Sequence, residues 1–321
     1  MKNIIITRLI GLLYITLAIQ TSSFAQTEID AIMMNKRQFC GGFMFGTGNW
    51  KNYWEGANKR ENANLGTVST KEFMVQGNYG IKNNLNFLFS MPYLSTKASA
   101  GTMHSMKGLQ DLSLFLKYMP VEKKMGRGIF SAYTIGGLSF PTTNYVADFL
   151  PLSIGSHSTN LSIRGMIDYK IKSWFTTISG AYIYRTNVKI DRSSYYTTQL
   201  HYTNEVNMPN ATSFNIRTGF RNEKLVAEAF LNNWTTMGGF DISKNNMPFI
   251  SNKMNSTTVG INGKYYVKNL RNLSLNAGFN YTVAGRNVGQ TKHYNAGVFY
   301  VFNFKKNQSG FPKNSVGNAA K

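Results

Sequence analysis

The sequence predicts an all-β fold, a transmembrane antiparallel up-and-down β-barrel of about 12 strands. Three observations lead to it: an N-terminal export segment, long stretches of alternating apolar and polar residues, and connections that alternate between short and long. In 160–170, for example, Leu161 and Ile163 share one face while Arg164 and Asp168 share the other. Such stretches run to roughly 9–13 residues, which suits membrane-crossing strands better than the ~5–6 residues of an average soluble strand.

The N-terminal residues 1–25 have the pattern of a secretory signal peptide. Lys2 and Arg8 precede an apolar run at 9–19, and small residues lead to Ala25, the expected last residue before cleavage. The apolar run is too short for a membrane-spanning helix, which needs about 20 residues. The sequence therefore predicts Sec-type export to the outer membrane of a Gram-negative bacterium.

Twelve stretches alternate with a period of two and are predicted strands. They lie near 38–49, 68–79, 84–94, 108–118, 129–140, 158–170, 173–186, 212–221, 225–235, 256–267, 271–284 and 292–304. The shorter connections are 80–83, 119–128, 171–172, 222–224 and 268–270, and the longer ones are 50–67, 95–107, 141–157, 187–211, 236–255 and 285–291. Outer-membrane barrels have short periplasmic turns and long external loops, so the order predicts a barrel over 38–304.

The segments that flank the barrel have separate interpretations. Residues 305–321 are polar and basic, which predicts a periplasmic tail. For residues 26–37 two interpretations stay open. One is a disordered periplasmic leader, and the other is a short amphipathic turn with Glu28, Ile29, Ile32 and Met33 that plugs the periplasmic mouth.

Aromatic residues near the predicted strand ends indicate two interfacial girdles. The candidates are Tyr93, Tyr118, Tyr169, Trp174, Tyr184, Tyr294 and Phe304. The last predicted strand, 292–304, resembles the terminal signal of bacterial outer-membrane barrels. The predicted partners are therefore the outer-membrane lipid, a small-molecule solute and the barrel-assembly machinery, which would read the terminal strand.

The charge balance is strongly basic, with 35 Lys and Arg residues against 14 Asp and Glu residues and a net charge of +21. Such an excess suggests nucleic acid or an anionic membrane surface. Export and the lack of a binding motif in the sequence argue against nucleic acid. Most of the excess, Lys170 and Arg221 included, falls on the predicted periplasmic turns and tail, where it would face phospholipid head groups. One cysteine and four histidines predict no metal site and no cofactor.

Alternation places further charged residues on the lumenal face of the predicted strands. The lumen-lining candidates are Asp111, Lys117, Arg164, Asp168, Arg185, Arg217, Glu228 and Lys264. A charge inside a barrel has to be hydrated or paired. Two interpretations remain open: a structural network across a narrow lumen, or a filter that selects among solutes.

Short segments between residues 73 and 143 resemble one protein family. In order they are Tyr79-Gly80-Ile81, Met91-Pro92-Tyr93, Gly108-Leu109-Gln110-Asp111-Leu112, Leu116-Lys117-Tyr118 and Phe140-Pro141-Thr142-Thr143. They are similar to motifs of the outer-membrane transporter family named for the MetA pathway of phenol degradation, although Gln110 and Thr143 replace two glycines of the family pattern. The resemblance implies a β-barrel that passes small, often hydrophobic or aromatic compounds.

Three functions are compatible with these observations. The first is passive or gated passage of small solutes, and the second is a non-conducting structural or interaction barrel that displays loops 187–211 and 236–255. A barrel lipase or protease is the weakest, because the sequence has no Gly-x-Ser-x-Gly motif and offers only neighbouring pairs such as His157 and Ser158. The sequence therefore predicts a transporter and not an enzyme.

Overall fold

The computed structural model describes residues 27–242, 248–267, 270 and 272–304, so the predicted signal peptide and basic tail lie outside the described residues. Its dominant elements are twelve long strands. They are β1 Gln38–Trp50, β2 Val68–Lys82, β3 Leu85–Ala98, β4 Asp111–Met125, β5 Gly128–Pro141, β6 Asn160–Ile171, β7 Trp174–Arg185, β8 Ala211–Arg221, β9 Leu225–Thr236, β10 Asn255–Tyr266, β11 Leu273–Arg286 and β12 Lys292–Asn303. Among the described residues, no helix is long and apolar enough to span a membrane.

The twelve strands close into one antiparallel barrel. Each strand pairs with the next along the chain, and β12 pairs with β1, where Val301 lies opposite Cys40. Closure matters because only a closed sheet can satisfy its backbone hydrogen bonds within lipid. The predicted fold class and the order of the strands are confirmed.

Side chains alternate between the lumen and the outer surface. On β6, Leu161 and Ile163 are exposed, whereas Arg164 and Asp168 are buried. The aromatic candidates that are exposed on the outer surface are Tyr93, Tyr118, Trp174, Tyr184, Tyr294 and Phe304. Tyr169 is only partly exposed, and its hydroxyl donates to the carbonyl of Met125. Their place at the lipid–water interface stays a prediction.

The turn between β4 and β5 is shorter than predicted. A connection over 119–128 was expected, but β4 continues to Met125 and β5 begins at Gly128. The register with β5 shifts between Tyr118 and Val121, which marks a β-bulge at Pro120. Proline lacks the N–H that a ladder requires, and the bulge accommodates it without ending the strand.

The long connections at the outer end pack against one another. The loops after β5, β7 and β9 share an apolar cluster that includes Ala147, Val206 and Ile250. Arg192 also donates to the Asp148 carboxylate across two of these loops, with Nε 2.9 Å from Oδ2. Short strands within the loops pair as Asn52–Glu55 with Asn58–Glu61, Val188–Lys189 with Glu205–Val206, and Tyr195–Tyr196 with Leu200–His201, while Met106–Leu109 adds to β3.

Candidate functional site

Residues 27–37, called the leader below, run inside the barrel near the end that carries the short turns. Ala31, Ile32, Met33 and Met34 are each at most 3% exposed. Their partners come from three sides of the barrel: Met119, Tyr133, Ile135 and Met166 for Ala31 and Met33; Phe175, Val226 and Tyr266 for Ile32; and Cys40, Phe299 and Val301 for Met34. Because these partners surround the lumen, the leader crosses it.

The side chain of Lys117 on β4 holds the leader. Its ammonium donates to the carbonyls of Thr27 at 2.9 Å, Asp30 at 2.5 Å and Ile32 at 3.2 Å. It also lies 3.2 Å from Oδ1 of Asp30. Lys117 is fully buried, and a buried ammonium needs such oxygens. Breaking a buried ion pair costs about 3–5 kcal/mol, so Lys117 and the leader depend on each other.

The Asp30 carboxylate organises the leader itself. It accepts hydrogen bonds from the backbone N–H groups of Thr27 at 2.5 Å and Ile32 at 3.0 Å. Burial acts to raise the pKa of this carboxyl, but the Lys117 charge and the two N–H donors outweigh it and hold the pKa below its usual value. Asp30 is therefore ionised at neutral pH when the leader is in place.

The leader joins the barrel wall beside Gly80 of β2. Arg37 N–H donates to the Gly80 carbonyl at 2.7 Å. The Asn35 carbonyl comes so close that a Cβ on residue 80 would lie 2.0 Å from its oxygen. Only glycine permits this approach. Lys36 N–H donates to Oδ1 of Asn83 at 2.9 Å, in the turn between β2 and β3.

Ion pairs cross-link the wall beyond the leader. Arg217 on β8 donates to Oε1 of Glu228 on β9 at 2.7 Å. Asp168 on β6 accepts a hydrogen bond from the Thr177 hydroxyl at 2.5 Å and lies 3.5 Å from NH1 of Arg221. These four charged side chains are nearly inaccessible to solvent, so each pair replaces hydration that burial removes.

Two further arginines of this wall form hydrogen bonds with neutral groups. Arg164 donates from NH1 to the Ser179 hydroxyl at 2.9 Å. Arg185, closer to the outer loops, donates to the Pro209 carbonyl at 3.4 Å, and its guanidinium lies 5.9 Å from the centre of the Trp234 ring. Hydroxyl and carbonyl oxygens orient these two guanidinium groups without cancelling their charge.

The remaining candidates lie on other strands. Lys264 on β10 is buried, with its ammonium 5.5 Å from the Tyr266 ring centre and 5.7 Å from that of Phe299. Asp111, at the outer end of β4, accepts a hydrogen bond from the Tyr145 hydroxyl at 2.6 Å. Asp111 thus ties β4 to the following long loop.

A cavity of about 310 Å³ lies between the leader and the strands β8 to β12. Its lining residues are Ile29, Asn215, Arg217, Phe230, Asn232, Thr258, Asn262, Phe279, Asn280 and Asn295. Amide and hydroxyl groups dominate the lining, with one guanidinium and a few apolar side chains. A space of this size suits a small organic molecule.

The predicted lumenal residues form fewer mutual contacts than a network across the lumen requires. Within the described residues, Arg217 and Glu228 are the one ion pair between two members of the predicted set. Lys117 and Asp168 take partners from outside the set, and Asp111 is only partly buried. Their selection among solutes stays a prediction.

Sequence reasoning missed Asp30 and was wrong about Lys170 and Arg221. Both cations were assigned to the periplasmic rim, but they are 8% and 3% exposed inside the barrel. Alternation with Arg217 already put Arg221 on the inward face of the predicted strand 212–221, but its charge was counted with the periplasmic turns. No sequence pattern points to Asp30, whose partner Lys117 is 87 residues away.

The neighbouring pair His157 and Ser158 does not form a nucleophile–base arrangement. The Ser158 hydroxyl donates to the Thr186 carbonyl at 2.7 Å, and the His157 ring packs edge-on against Tyr145. Within the part of the chain that the structure describes, no group of three or more His, Cys, Asp or Glu side chains could hold a metal ion.

Comparisons with known proteins agree with this architecture. No curated protein matches the chain by sequence. The structure is similar to an outer membrane channel from Pseudomonas putida F1, with a TM-score of 0.67 and 12% identity over 87% of this chain and 100% of that chain. This likeness shows the fold.

Weaker matches include the NanC porin, with a TM-score of 0.45 and 9% identity over 80% of this chain and 98% of that one. A TodX monoaromatic hydrocarbon channel mutant has a TM-score of 0.43 and 11% identity over 85% and 91% of the two chains. The barrel shares its fold with the outer membrane channel from Pseudomonas putida F1. A model of the family described as "Putative MetA-pathway of phenol degradation" matches residues 61–297, and the chain belongs to that family.

Proposed function

We propose that this protein passes small solutes across the outer membrane, and that the leader is a plug which has to leave its position before a solute crosses. The cavity of about 310 Å³ beside the leader carries the proposal, because the leader and the strands line it together. Membership of the family supports the same role. Displacement of the leader would extend this space toward the inner end of the barrel.

The contacts of the leader suit a movable segment. Its backbone carbonyls bond to side chains of the wall, as in the 3.0 Å hydrogen bond from the Tyr133 hydroxyl to Ala31. The strands, in contrast, are bonded to neighbours along both edges. A segment outside the ladder opens at a lower free-energy cost than the ladder itself. The leader can therefore move while the barrel stays closed.

The proposed solutes are small compounds, hydrophobic or aromatic ones among them. The family description refers to phenol degradation. In the cavity, Ile29 and Phe230 offer apolar contacts, while the amides of Asn232 and Asn262 can bond to a hydroxyl group. This combination suits a ring or short chain that carries one polar group.

A non-conducting structural or interaction barrel is the second candidate. The buried leader and the mutually packed outer loops favour it, because they cover the two ends of the lumen. Loops 187–211 and 236–255 would then form the functional surface. In either case we propose that the assembly machinery reads β12, whose Tyr300 and Phe302 are exposed.

Conductance in planar lipid bilayers separates the two candidates. We expect Gly80→Ala to raise the conductance several-fold, because the new Cβ would displace the Asn35 carbonyl. Gly165→Ala is the matched control, since a Cβ there meets nothing within 4 Å. Heat-modified migration on gels verifies that both variants keep a folded barrel. If Gly80→Ala and the wild type are equally silent, the protein is a non-conducting barrel.

A further inference from the structure

Four arginines stand at regular levels on one wall of the lumen, formed by β6, β7 and β8. Their positions can be compared along β7. Arg185 lies on β7 itself, Arg164 lies opposite Ala181, and Arg217 lies opposite Thr177. The N–H of Arg221 donates to the carbonyl of Ser173, just before β7. Successive levels are four residues apart, which corresponds to about 13 Å along a strand. The four side chains, called the arginine ladder below, are all buried.

The ladder has more hydrogen-bond donors than local acceptors. Arg217 is paired with Glu228, but Arg164 and Arg185 bond only to neutral oxygens among the described residues. Arg221 is 3% exposed and touches Asp168 through NH1, whereas its Nε and NH2 have no partner in the described structure. Buried guanidinium groups with spare donors favour an anion.

The charge inside the barrel points the same way. Among the strand residues that the structure describes, the cations with buried side chains are Lys117, Arg164, Lys170, Arg185, Arg217, Arg221 and Lys264, while the carboxylates with buried side chains are Asp168 and Glu228. Burial of like charges is costly unless counter-charges are supplied. The wall therefore favours anionic occupants over neutral or cationic ones.

The leader supplies such counter-charges. Asp30 pairs with Lys117, and its charge also acts on Arg217. The charge of Glu28 acts on Lys117 and on Arg164. Two carboxylates of the leader thus act on two members of the ladder.

The cavity opens onto the same wall. Arg217 and Asn215 line it, and Nε of Arg217 donates to Oδ1 of Asn215 at 3.1 Å. Asn215 is 1% exposed, and its Nδ2 has no partner within the described residues. The wall of this cavity therefore combines a guanidinium with a buried amide that has a donor to spare.

We infer that the arginine ladder is a binding path for small organic carboxylates, and that the charges of Glu28 and Asp30 in the leader neutralise part of the positive charge beside it in the closed protein. The inference rests on the proposed passage function and names the class of solute. A guanidinium can bind a carboxylate through two parallel hydrogen bonds. Ile29 and Phe230 provide apolar contacts for the rest of the molecule. The negative charge of the leader then weakens the attraction of the ladder for an anionic solute.

Planar bilayers with the Gly80→Ala protein test the ladder, because this variant leaves the lumenal charges unchanged. The reversal potential in a KCl gradient reports anion preference. Block of the chloride current is compared for benzoate, benzyl alcohol and benzylammonium, which share a ring and differ in charge. We expect anion preference and a benzoate block that needs about tenfold less probe than the other two.

Substitutions on this background locate the site. Arg164→Gln and Arg185→Gln should each weaken the benzoate block by about tenfold, the effect of about one charge-assisted hydrogen bond. Lys97→Gln, at an exposed position on β3, is the control and should change nothing. The inference would be overturned if the three probes block the current equally. It would also be overturned if benzoate blocks the arginine variants as strongly as it blocks their Gly80→Ala parent.

The effect of the two leader carboxylates is tested by replacing them in the wild-type protein, without Gly80→Ala. Glu28→Gln with Asp30→Asn should raise the affinity for benzoate several-fold, since the leader then no longer neutralises part of the lumenal positive charge. An unchanged affinity would show that the two carboxylates do not weaken anion binding along the path. Protein that is silent under all conditions overturns the passage function as well, whereas current without anion preference overturns this inference alone.

Discussion

At the scale of single residues, Lys117 and Asp30 connect a barrel strand to a segment that has no place in the sheet. Lys117 is fully buried and takes three carbonyl oxygens and one carboxylate oxygen from the leader. Separating the two groups would cost free energy on both sides. Solvent does not reach the ammonium, and the carboxylate is bonded to two N–H groups of its own turn. The pair therefore makes the position of the leader sensitive to the protonation of Asp30.

Acidification should release the leader. The Asp30 pKa is lowered in the folded protein, so its contribution to holding the leader is full above the usual aspartate pKa of about 3.9. The contribution is lost as the pH falls below that value through the lowered pKa. We expect the opening frequency in planar bilayers to rise as the pH falls below about 3.9.

Asp30→Asn is the control for this pH dependence, because the variant lacks the carboxylate to which the effect is assigned. The variant should open more often at neutral pH and should lose the part of the acid response that belongs to Asp30. An acid response of equal size in both proteins would assign the effect to other groups.

At the scale of elements, the seam between β1 and β12 joins the first and last strands and closes the barrel. Gly42 of β1 lies opposite Phe299. A Cβ at residue 42 would lie 2.3 Å from the Val298 carbonyl oxygen and 2.4 Å from the Phe299 ring. The two strands therefore approach one another only because residue 42 has no side chain.

Gly42→Ala should destabilise the closed barrel. Overpacking of this kind typically costs about 1–3 kcal/mol of folding free energy. The contact that it weakens is the pairing of β1 with β12. We expect a lower temperature for the heat-induced change in gel migration and slower refolding into detergent. Gly136→Ala, whose Cβ would meet nothing within 4 Å, should match the wild type. Equal shifts in the two variants would mean that lost backbone freedom, and not the seam, decides the result.

Most of the barrel was predictable from the sequence, and the reason is geometric. Period-two alternation fixes which face of a strand is inward, so Arg164 and Arg217 were placed in the lumen. Pro120 misled the prediction, because a bulge inside a strand and a turn share the same residue types. The course of the leader was left open, since a pairing such as Asp30 with Lys117 over 87 residues leaves no periodic trace.

At the scale of the whole molecule, the outer loops form one interconnected layer, and Asn287 is its principal junction. Its side-chain oxygen accepts from the N–H groups of Gly56 at 2.7 Å and Ile242 at 3.2 Å. Its amide donates to Oδ1 of Asp241 at 2.8 Å and to the Lys253 carbonyl at 2.6 Å. One side chain therefore joins the loops that follow β1, β9 and β11.

Asn287→Ala should loosen this layer while leaving the barrel intact. Four hydrogen bonds are lost, and each buried group left unpaired costs about 1–3 kcal/mol. We expect faster proteolysis of the loop over 237–254 in outer-membrane preparations, with unchanged heat-modified migration.

Asn287→Gly distinguishes the side chain from the backbone, because residue 287 has a φ of 51° that glycine adopts without strain. It should show the same increase in proteolysis if the side-chain bonds matter. If Asn287→Gly resists proteolysis like the wild type while Asn287→Ala does not, backbone strain, and not the lost hydrogen bonds, loosens the loop.

The contacts of Met34 connect the filling of the lumen with the completion of folding. Met34 precedes β1, yet it packs against Phe299 and Val301 of β12, at the opposite end of the barrel chain. That contact exists only once the first and last strands have met. A sheet that stops short of closure would leave Met34 exposed and would hold the leader less tightly around the Lys117 ammonium. Closure of the sheet and placement of the leader therefore reinforce one another.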